Sequence, residues 1–408
     1  MSRIKILNFG PIKNGCVEND GWIDIKKVTV FIGNQGSGKS TVAKLFSTMS
    51  WIEKAMVKGE LGQNELSAYN RFLKQIAYQR IDQYIQENTI IEYQGKAFNF
   101  SYKDGVFNAV KSATNGYLLP KIMYVPSERN FLSTVDRPDK LKKLPNSLYT
   151  FNDEYDAAKD LYASGLELPI NNAVFEFDKL NRLAHIVGID TNFKIRLSEA
   201  SSGFQSTVPL YLVSKYLSEK LMAEDDPSIK ENSLEDQKKL AKELKFIMED
   251  NQISPEVRQA FLRQLSAKRK PVCFINIVEE PEQNLYPSSQ LKILNELIGY
   301  CNGAYGSKLI MTTHSPYLIN FLSIAVQAAY LSNKINKTEL MDQLDNLVPK
   351  KATIQSTDLV IYQLDEKSGT IAKLSDFDGI PSDKNYLNQS LRLGNELFDS
   401  LLEIEQEL

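Results

Sequence analysis

The chain has 408 residues, of which 42% are hydrophobic and 24% are charged, with a formal net charge of −3. This composition is ordinary for a globular protein. The small negative charge excludes a global positive field that would attract nucleic acid, so a DNA contact would need a local patch. Widely spaced cysteines argue against a disulfide framework or a zinc site, and no apolar run approaches the roughly 18 residues of a transmembrane helix. We therefore expect a cytoplasmic protein with no membrane partner.

The first third of the chain predicts strands on both sides of a glycine-rich loop. Its third strand is a β-branched run that ends on Gly33, as a buried strand would. A helical spacing of apolar residues begins just after the loop. In chain order, the predicted elements are strands at residues 4–9, 22–25 and 28–32, a helix from about residue 40, a long helix over residues 61–88, and a strand pair over residues 90–102 with a turn at Gly95.

The rest of the chain predicts a second block of strands and helices. In chain order, this part predicts a strand at residues 121–125, mainly helices over 132–189, two short amphipathic helices between 224 and 270, strands at 273–278 and 309–313, a strand pair within 359–374, and an amphipathic helix over 387–408. We expect one elaborated α/β domain. Residues 1–131 and 271–380 would form a mixed-sheet lobe, residues 132–270 a helical lobe, and residues 381–408 a C-terminal helix.

The glycine-rich loop satisfies the pattern G-x-x-x-x-G-K-[ST] of phosphate-binding loops. Glycines let the backbone turn its N–H groups inward around phosphates at a helix N-terminus. Lys39 would bridge the β- and γ-phosphates of ATP, and the Ser40 hydroxyl would hold Mg²⁺. A surface turn is the alternative, but the position between a buried strand and a helix favours a nucleotide. The candidate nucleotide-binding residues are Gly33, Asn34, Gln35, Gly36, Ser37, Gly38, Lys39, Ser40 and Thr41.

Carboxylates and a histidine follow two further apolar strands. Glu279 and Glu280 come directly after residues 273–278, and His314 comes directly after residues 309–313. Open α/β sheets bind ligands at the carboxyl ends of their strands. We therefore interpret Glu279 as the Mg²⁺ partner and Glu280 as the general base that polarises the attacking water. His314 is placed to contact a γ-phosphate, and a solvated, Glu-rich turn is the alternative interpretation of the two carboxylates.

With these features in this order, the chain resembles the ABC-type ATPase heads of the SMC, RecF and OLD families. The resemblance rests on four segments, which read IKILNFGPI, GNQGSGKST, EEPEQNLYP and TTHSP. It implies an ABC-ATPase-type head with a mixed β-sheet nucleotide-binding lobe and a helical signature lobe. It also implies ATP and Mg²⁺ as cofactors.

Residues 197–206 resemble a degenerate form of the signature motif of these families. In such heads a serine and a glycine of the signature reach the γ-phosphate that a second copy holds. The resemblance therefore implies a homodimer or higher homo-oligomer through head-to-head ATP sites. Ser201 or Ser202 is the candidate hydroxyl, and Gly203 is the candidate glycine. A helix N-cap rich in serine and glycine is the alternative interpretation.

One departure from the family pattern affects the assignment of the metal-sensing role. The glutamine expected after the third strand is missing, and the segment PSER at residues 126–129 takes its place, which leaves Glu128 or Ser127 as the candidate for metal sensing. The segment DFDG at residues 376–379 is interpreted as an exposed turn rather than a nuclease metal site. The chain therefore resembles the ATPase subunits of two-gene bacterial anti-phage systems, which implies a separately encoded effector protein such as a nuclease.

Three functional hypotheses follow from these features. The first is an ATP-hydrolysing, nucleotide-driven dimerisation switch. It would act as a sensor for, or a regulator of, a separate effector nuclease in anti-phage defence. The degenerate signature and the missing glutamine leave open a nucleotide-gated scaffold with little turnover. The third is a RecF-like DNA-repair ATPase head. Basic clusters at residues 140–143, 268–270 and 350–351 leave DNA as a candidate partner, although a solvated face is the better interpretation of each cluster.

Overall fold

The computed structural model describes residues 2–68, 70–113, 116–135, 143–191, 193–224 and 270–406. The two amphipathic helices expected between residues 224 and 270 lie outside the described residues, as does most of the basic clusters at 140–143 and 268–270.

The protein is a mixed α/β protein. The strands are, in chain order, β1 (Ser2–Phe9), β2 (Gly15–Cys16), β3 (Trp22–Ile25), β4 (Val28–Gly33), β5 (Ile85–Gln94), β6 (Phe98–Lys103), β7 (Val106–Lys111), β8 (Pro120–Val125), β9 (Leu166–Glu167), β10 (Ala173–Asp178), β11 (Leu183–Gly188), β12 (Lys194–Arg196), β13 (Cys273–Glu279), β14 (Lys308–Thr313), β15 (Leu359–Asp365), β16 (Thr370–Lys373), β17 (Asp376–Phe377) and β18 (Ile380–Pro381). The α-helices are α1 (Lys39–Val57), α2 (Gln63–Ser67), α3 (Arg71–Ala77), α4 (Phe131–Thr134), α5 (Asn146–Leu161), α6 (Ser202–Glu224), α7 (Pro287–Gly303), α8 (Pro316–Ser332), α9 (Thr338–Leu347) and α10 (Tyr386–Gln406).

A seven-stranded central sheet has the strand order β2-β16-β15-β4-β14-β13-β8. The five strands from β15 to β8 are parallel to one another, whereas β16 runs antiparallel to β15. Every residue of β4 and β13 is buried, as the unbroken apolar runs in the sequence predict for strands covered on both faces. The carboxyl ends of β4, β14, β13 and β8 therefore meet at one edge of the sheet.

The two faces of this sheet carry two separate hydrophobic clusters. Phe31 and Ile277 point into one cluster together with apolar residues of α1 and of β1. Val30 and Val278 point into the other cluster together with apolar residues of α6, α7 and α8. Alternate residues of a strand project to opposite faces, so the central sheet lies between these two layers and is protected from water on both sides.

An antiparallel sheet of order β3-β1-β5-β6-β7 packs on the α1 side. Its β5–β6 hairpin confirms the strand pair predicted around Gly95. The long helix predicted over residues 61–88 is wrong, because this stretch holds the short helices α2 and α3 and then enters β5 at Ile85. Asn70 and Arg80 have left-handed backbone conformations, with φ of 60° and 55°, which a continuous right-handed helix excludes.

A third sheet, of order β12-β11-β10-β9, lies within residues 166–196. The expectation of mainly helical structure over residues 132–189 is therefore wrong for its second half. In β10, Ala173, Phe175 and Phe177 are buried and the residues between them are partly exposed. This alternation is the period-two pattern of a half-buried strand. Among the described residues around this sheet, α4 and α5 precede it in the chain and α6 follows it.

The C-terminal region ends in an exposed hairpin and a helix. Asp376–Phe377 form the exposed strand β17, and residues 378–379 form the turn to β18, with φ of 52° at Asp378 and 80° at Gly379. The amphipathic helix predicted over 387–408 is confirmed as α10, and none of its described residues is buried. In the part of the chain that the structure describes, no helix has both the length and the apolar character needed to cross a membrane.

Candidate functional site

The glycine-rich loop connects β4 to α1 at the carboxyl edge of the central sheet. Gly33 has φ of 151°, and a Cβ atom there would lie 2.4 Å from the carbonyl oxygen of Leu364 on β15. Gly38 has φ of 102°, in the range that favours glycine. The fold therefore requires glycine at both positions, and the loop takes the tight course that a phosphate cradle needs.

Lys39 is the first residue of α1, and its side chain folds back over the loop. Its Nζ donates to the carbonyl oxygens of Gly33 at 3.0 Å and Asn34 at 2.8 Å. Burial lowers the pKa of Lys39 to about 8, although the carboxylates of Glu280 and Glu282 oppose the shift. A buried ammonium group without a hydrogen-bonded anion is a ready partner for phosphate oxygens.

The remaining loop residues divide into an exposed half and a buried half. Asn34 and Gln35 are exposed, and the Asn34 amide donates to Glu366 Oε1 at 3.0 Å. The Ser37 hydroxyl is buried and has no hydrogen-bond partner among the described residues. Ser40 is half-buried at the start of α1. A polar lining with unused hydrogen-bonding capacity fits a phosphate site.

The acidic residues lie at the end of β13, and β14 lies between β13 and the strand β4 that leads into this loop. Thr313 of β14 is in register with Ile32 of β4, and Glu279 of β13 is in register with Thr312. Glu279 is buried, its Oε2 accepts from the Ser127 N–H at 3.1 Å, and its Oε1 has no partner among the described residues. This orphaned carboxylate oxygen is suited to a cation or to a water that a cation holds.

The protein oxygens at this edge of the sheet suit a Mg²⁺ ion that takes most of its ligands from phosphates and waters. Among the described residues, no group of three or more His, Cys, Asp or Glu side chains forms a metal cage. Mg²⁺ in nucleotide sites is held by one or two protein oxygens while phosphates and waters supply the rest. The sequence predicts the Ser40 hydroxyl and the Glu279 carboxylate as such a pair, and the unpartnered Glu279 Oε1 fits that prediction. Glu128 is exposed beside them, and its metal-sensing role stays a prediction.

Glu280 adopts a backbone conformation that is rare for residues other than glycine. Its φ is 45°, and its N–H donates to the Thr312 carbonyl oxygen at 2.9 Å. Burial raises the pKa of the Glu280 carboxyl, and Glu279 adds to the shift while Lys39 opposes it. Left-handed backbone in such residues costs of order 1–3 kcal/mol and is concentrated at functional sites. A carboxyl group with a raised pKa is suited to accept a proton near neutral pH.

His314 faces Glu280 without forming a charged pair. Its Nε2 lies 3.7 Å from Glu280 Oε1, which is too long for a hydrogen bond. Burial, followed by the charge of Lys39, lowers the pKa of His314. The imidazole is therefore neutral at pH 7 and can donate one hydrogen bond to a ligand while its other nitrogen accepts one.

The sequence motifs contain two residues that we assigned no role and that the structure places in the site. The first is Arg129, which is fully buried. Its guanidinium donates to four main-chain carbonyl oxygens: Nη1 to Pro126 at 3.1 Å and to Glu279 at 2.7 Å, Nη2 to Glu280 at 2.7 Å, and Nε to Ser206 at 3.0 Å. Burial lowers its pKa to about 10, so it keeps its charge at neutral pH.

The second is Glu282, two residues after Glu280 in the EEPE segment. Its Oε1 accepts from the Thr313 hydroxyl at 2.8 Å and from the His314 N–H at 2.7 Å. Its Oε2 is buried without a partner among the described residues, and burial raises the pKa of this carboxyl. Glu282 thus fixes the backbone of His314. The EEPE segment was the sequence signal that pointed to Glu282.

The signature residues lie at the start of α6. Ser201 and Ser202 are exposed, and Gly203 is half-buried. A Cβ atom at Gly203 would lie 3.0 Å from the carbonyl oxygen of Asn284 in the acidic turn. No hydrogen bond within the described residues joins these three residues to the glycine-rich loop. The structure therefore brings Lys39, the acidic turn and His314 together and leaves both serines facing solvent.

Comparisons with known proteins agree with the expected class over part of the chain. A family model described as "AAA domain, putative AbiEii toxin, Type IV TA system" matches residues 262–320, which include Glu279, Glu280 and His314. No curated protein matches the sequence. In the structure the glycine-rich loop, the acidic strand end and the strand-end histidine share one edge of a mixed sheet, which is the arrangement that the motifs predict.

Solved structures of SMC heads are similar to the chain at low identity. The SMC head domain from Thermotoga maritima is 10% identical, with a TM-score of 0.36, and the alignment covers 92% of this chain and 98% of that one. An Smc head bound to the C-terminal domain of ScpA from Pyrococcus furiosus is 9% identical, with a TM-score of 0.39 and coverage of 97% and 100%. These values carry no inference about activity, which has to be argued from the site.

Proposed function

We propose that the protein binds ATP with Mg²⁺, hydrolyses it to ADP and phosphate, and uses the nucleotide to bring two copies together. The observation that supports hydrolysis best is Glu280: a half-buried carboxylate with a raised pKa, on strained backbone, beside a neutral His314 and the buried Lys39. A general base, a phosphate contact and a phosphate-binding cation are the groups that water attack on a γ-phosphate requires.

Each residue has one task in this proposal. Backbone N–H groups of residues 33–41 cradle the phosphates, and Lys39 contacts the β- and γ-phosphates. Ser40 and Glu279 would hold Mg²⁺, which neutralises phosphate charge when bound. Glu280 takes a proton from the attacking water, and His314 donates a hydrogen bond to the γ-phosphate. Ser201 or Ser202, with Gly203, approaches the γ-phosphate held by a second copy.

Glu280→Gln tests hydrolysis. The amide keeps the size of the side chain and cannot take a proton, so turnover should fall by about 100-fold or more while ATP binding persists. Phosphate release and titration with a fluorescent ATP analogue measure the two properties. Glu60→Gln is the control, because Glu60 lies at the surface and pairs with Lys58 at 2.6 Å. Unchanged turnover in the Glu280 variant would overturn the assignment of the base.

The scaffold with little turnover is the second candidate, supported by the departure of residues 197–206 from the standard signature. Measurements on purified wild-type protein separate the scaffold from the hydrolysing switch, because tight ATP retention with no phosphate release supports the scaffold.

A DNA-repair head is a third candidate. It predicts DNA binding whose log affinity falls linearly with log salt concentration. In the basic cluster at residues 350–351, Lys351 Nζ already forms an ion pair with Glu296 Oε1 at 2.5 Å.

We further propose that the switch is a sensor for, or a regulator of, a separately encoded effector nuclease in anti-phage defence. The support is the resemblance of the motif segments to the ATPase subunits of two-gene bacterial anti-phage systems. Co-purification with the products of neighbouring genes, with and without ATP, tests this role. ATP-dependent association with a nuclease is the expected result, and a wild-type protein that cleaves nucleic acid alone would contradict it.

A further inference from the structure

A buried arginine joins the catalytic turn to the signature helix. Arg129 has no exposed surface, and all four of its hydrogen bonds end on main-chain carbonyl oxygens. These oxygens belong to three separate segments: the end of β8, the end of β13 and the second turn of α6. Because a guanidinium is planar and its donors are fixed in a fork, it holds these segments at one relative position.

At one end, Arg129 holds the backbone of the proposed general base. Nη2 donates to the Glu280 carbonyl oxygen at 2.7 Å, and the Glu280 N–H donates to Thr312 at 2.9 Å. The left-handed conformation of Glu280, with φ of 45°, lies between these two bonds. Such strain persists only where the surroundings over-determine it, and here the direction of the Glu280 side chain depends on that conformation.

At the other end, Arg129 holds the helix that carries the signature serines. Nε donates to the Ser206 carbonyl oxygen at 3.0 Å, one turn after Ser202. A second bond joins the same two parts, since the Asn284 amide of the acidic turn donates to the Ser206 hydroxyl at 2.9 Å. Two side chains, Arg129 and Asn284, therefore link the start of α6 to the acidic turn through hydrogen bonds.

We infer that Arg129, assisted by the Ser206–Asn284 bond, is a positioning residue that couples the signature end of α6 to the placement of Glu280. The inference rests on the proposed hydrolysis of ATP. When a second copy engages the serines, the set position of α6 fixes the Glu280 backbone and aims its carboxylate at the attacking water. Nucleotide binding to the loop at residues 33–41 does not depend on this link.

Arg129→Lys is the first test, because lysine keeps the charge and cannot reach all four carbonyl oxygens. We expect the kcat for ATP to fall by about 100-fold, the cost of a misplaced catalytic group, while KM changes by no more than about threefold. Nucleotide stoichiometry should stay at one per chain, which a partly unfolded sample would not show. Arg182→Gln is the control, since Arg182, next to β11, pairs with Asp160 at 3.0 Å and should leave the kinetics unchanged.

Ser206→Ala keeps the inference testable if the Arg129 variant does not fold. It removes only the hydroxyl, and the exposed Asn284 can turn to water. We expect a fall in kcat of about fivefold, equivalent to the loss of one ordinary hydrogen bond in the transition state, with KM preserved. Unchanged kcat in Ser206→Ala, or in a folded Arg129→Lys protein, would overturn the coupling.

A double-variant cycle separates coupling from a merely structural role. Arg129→Lys is combined with the paired replacement of Ser201 and Ser202 by alanine. If Arg129 transmits the action of the serines, the combined loss in kcat equals that of the more severe parent, because residues that act as a unit are non-additive. Multiplied losses would refute the coupling. A wild-type protein without turnover would refute the proposed function instead, so the two failures are distinguishable.

Discussion

Among the described residues, the ammonium group of Lys39 donates hydrogen bonds to carbonyl oxygens of its own loop. Within the described residues it forms no ion pair, although four glutamates lie near enough to raise its pKa. Lys39→Ala should therefore weaken ATP binding by about 100-fold or more, because charge-assisted bonds to phosphate have no replacement there. Calorimetry or fluorescence titration measures the change, with Lys44→Ala on the same helix as the control. Equal affinity in the Lys39 variant would exclude the loop as the nucleotide site.

The lowered pKa of Lys39 also predicts a pH dependence. Burial brings this pKa to about 8 in the free protein, so the ammonium group loses its proton as pH rises through that value. Bound phosphates favour the charged form and raise the pKa again. We expect kcat/KM, which reports the free protein, to fall above about pH 8 while kcat stays level to higher pH. Parallel declines of both parameters would contradict this assignment.

At the residue scale, the sequence predicted those site residues whose motif has a fixed spacing along the chain. The loop at residues 33–41, Glu279, Glu280 and His314 are of this kind, and the structure places them at one sheet edge. Arg129 could not be assigned in this way, because its partners are carbonyl oxygens up to 151 residues away. No side-chain pattern encodes a main-chain acceptor that only the tertiary fold brings near.

At the element scale, Glu53 of α1 secures the β5–β6 hairpin. The buried carboxylate accepts from the Tyr93 hydroxyl at 2.8 Å and from the Ala97 N–H at 2.7 Å. Burial raises the pKa of this carboxyl. A Cβ atom at Gly95 would lie 2.2 Å from Glu53 Oε1, so the turn packs directly on the carboxylate.

Glu53→Ala should lower the free energy of unfolding by about 1–3 kcal/mol, because it leaves buried donors without an acceptor. Glu53→Gln should cost less, since the amide oxygen still accepts and no charge is buried. Urea denaturation measures both, and Glu60→Ala at the surface is the control, expected within about 0.5 kcal/mol of wild type. A Glu53→Ala protein as stable as wild type would show that the hairpin does not need this contact.

Element prediction succeeded where burial gives an unambiguous pattern. The unbroken apolar runs became β4 and β13, buried along their whole length. It failed over residues 166–189, where the strands are short and Leu180 in the β10–β11 turn is exposed. An exposed leucine next to alternating apolar residues can be assigned to a helix or to a strand by local pattern. Pairing with neighbouring strands decides the outcome, and that is a tertiary effect.

At the scale of the whole molecule, the parallel order of the sheet places two halves of the chain in one site. β4 and β13 lie more than 240 residues apart in the chain, yet only β14 separates them in the sheet. The motifs predicted a shared edge, because strand ends in open α/β sheets meet there. The order β15-β4-β14-β13-β8 depends on packing across the whole domain, which no local pattern contains.

One chain has one phosphate-binding loop and one signature, and both serines of the signature face solvent. We therefore expect each ATP site to be completed by a second copy, in an isologous pair with two equivalent sites. Association should tighten with ATP and loosen after hydrolysis, by linkage. Light scattering with and without ATP, using the slowly hydrolysing Glu280→Gln protein, measures this dependence. Paired replacement of Ser201 and Ser202 by alanine should preserve ATP binding and abolish the tightening.

Mixing two inactive variants tests the composite site most directly. A Lys39→Ala chain keeps its signature, and a chain with both serines replaced keeps its loop, so a mixed pair contains one intact site. With random pairing, half of the pairs are mixed, and about a quarter of wild-type turnover should return if one site suffices. Lys39→Ala mixed with Glu280→Gln is the matched control. The only intact loop in that mixture lies on the chain that lacks the base, because Lys39 and Glu280 act within one chain, so no turnover should return. Recovery in the control, or a specific rate in wild type that does not depend on concentration in a strictly monomeric protein, would exclude a site shared between copies.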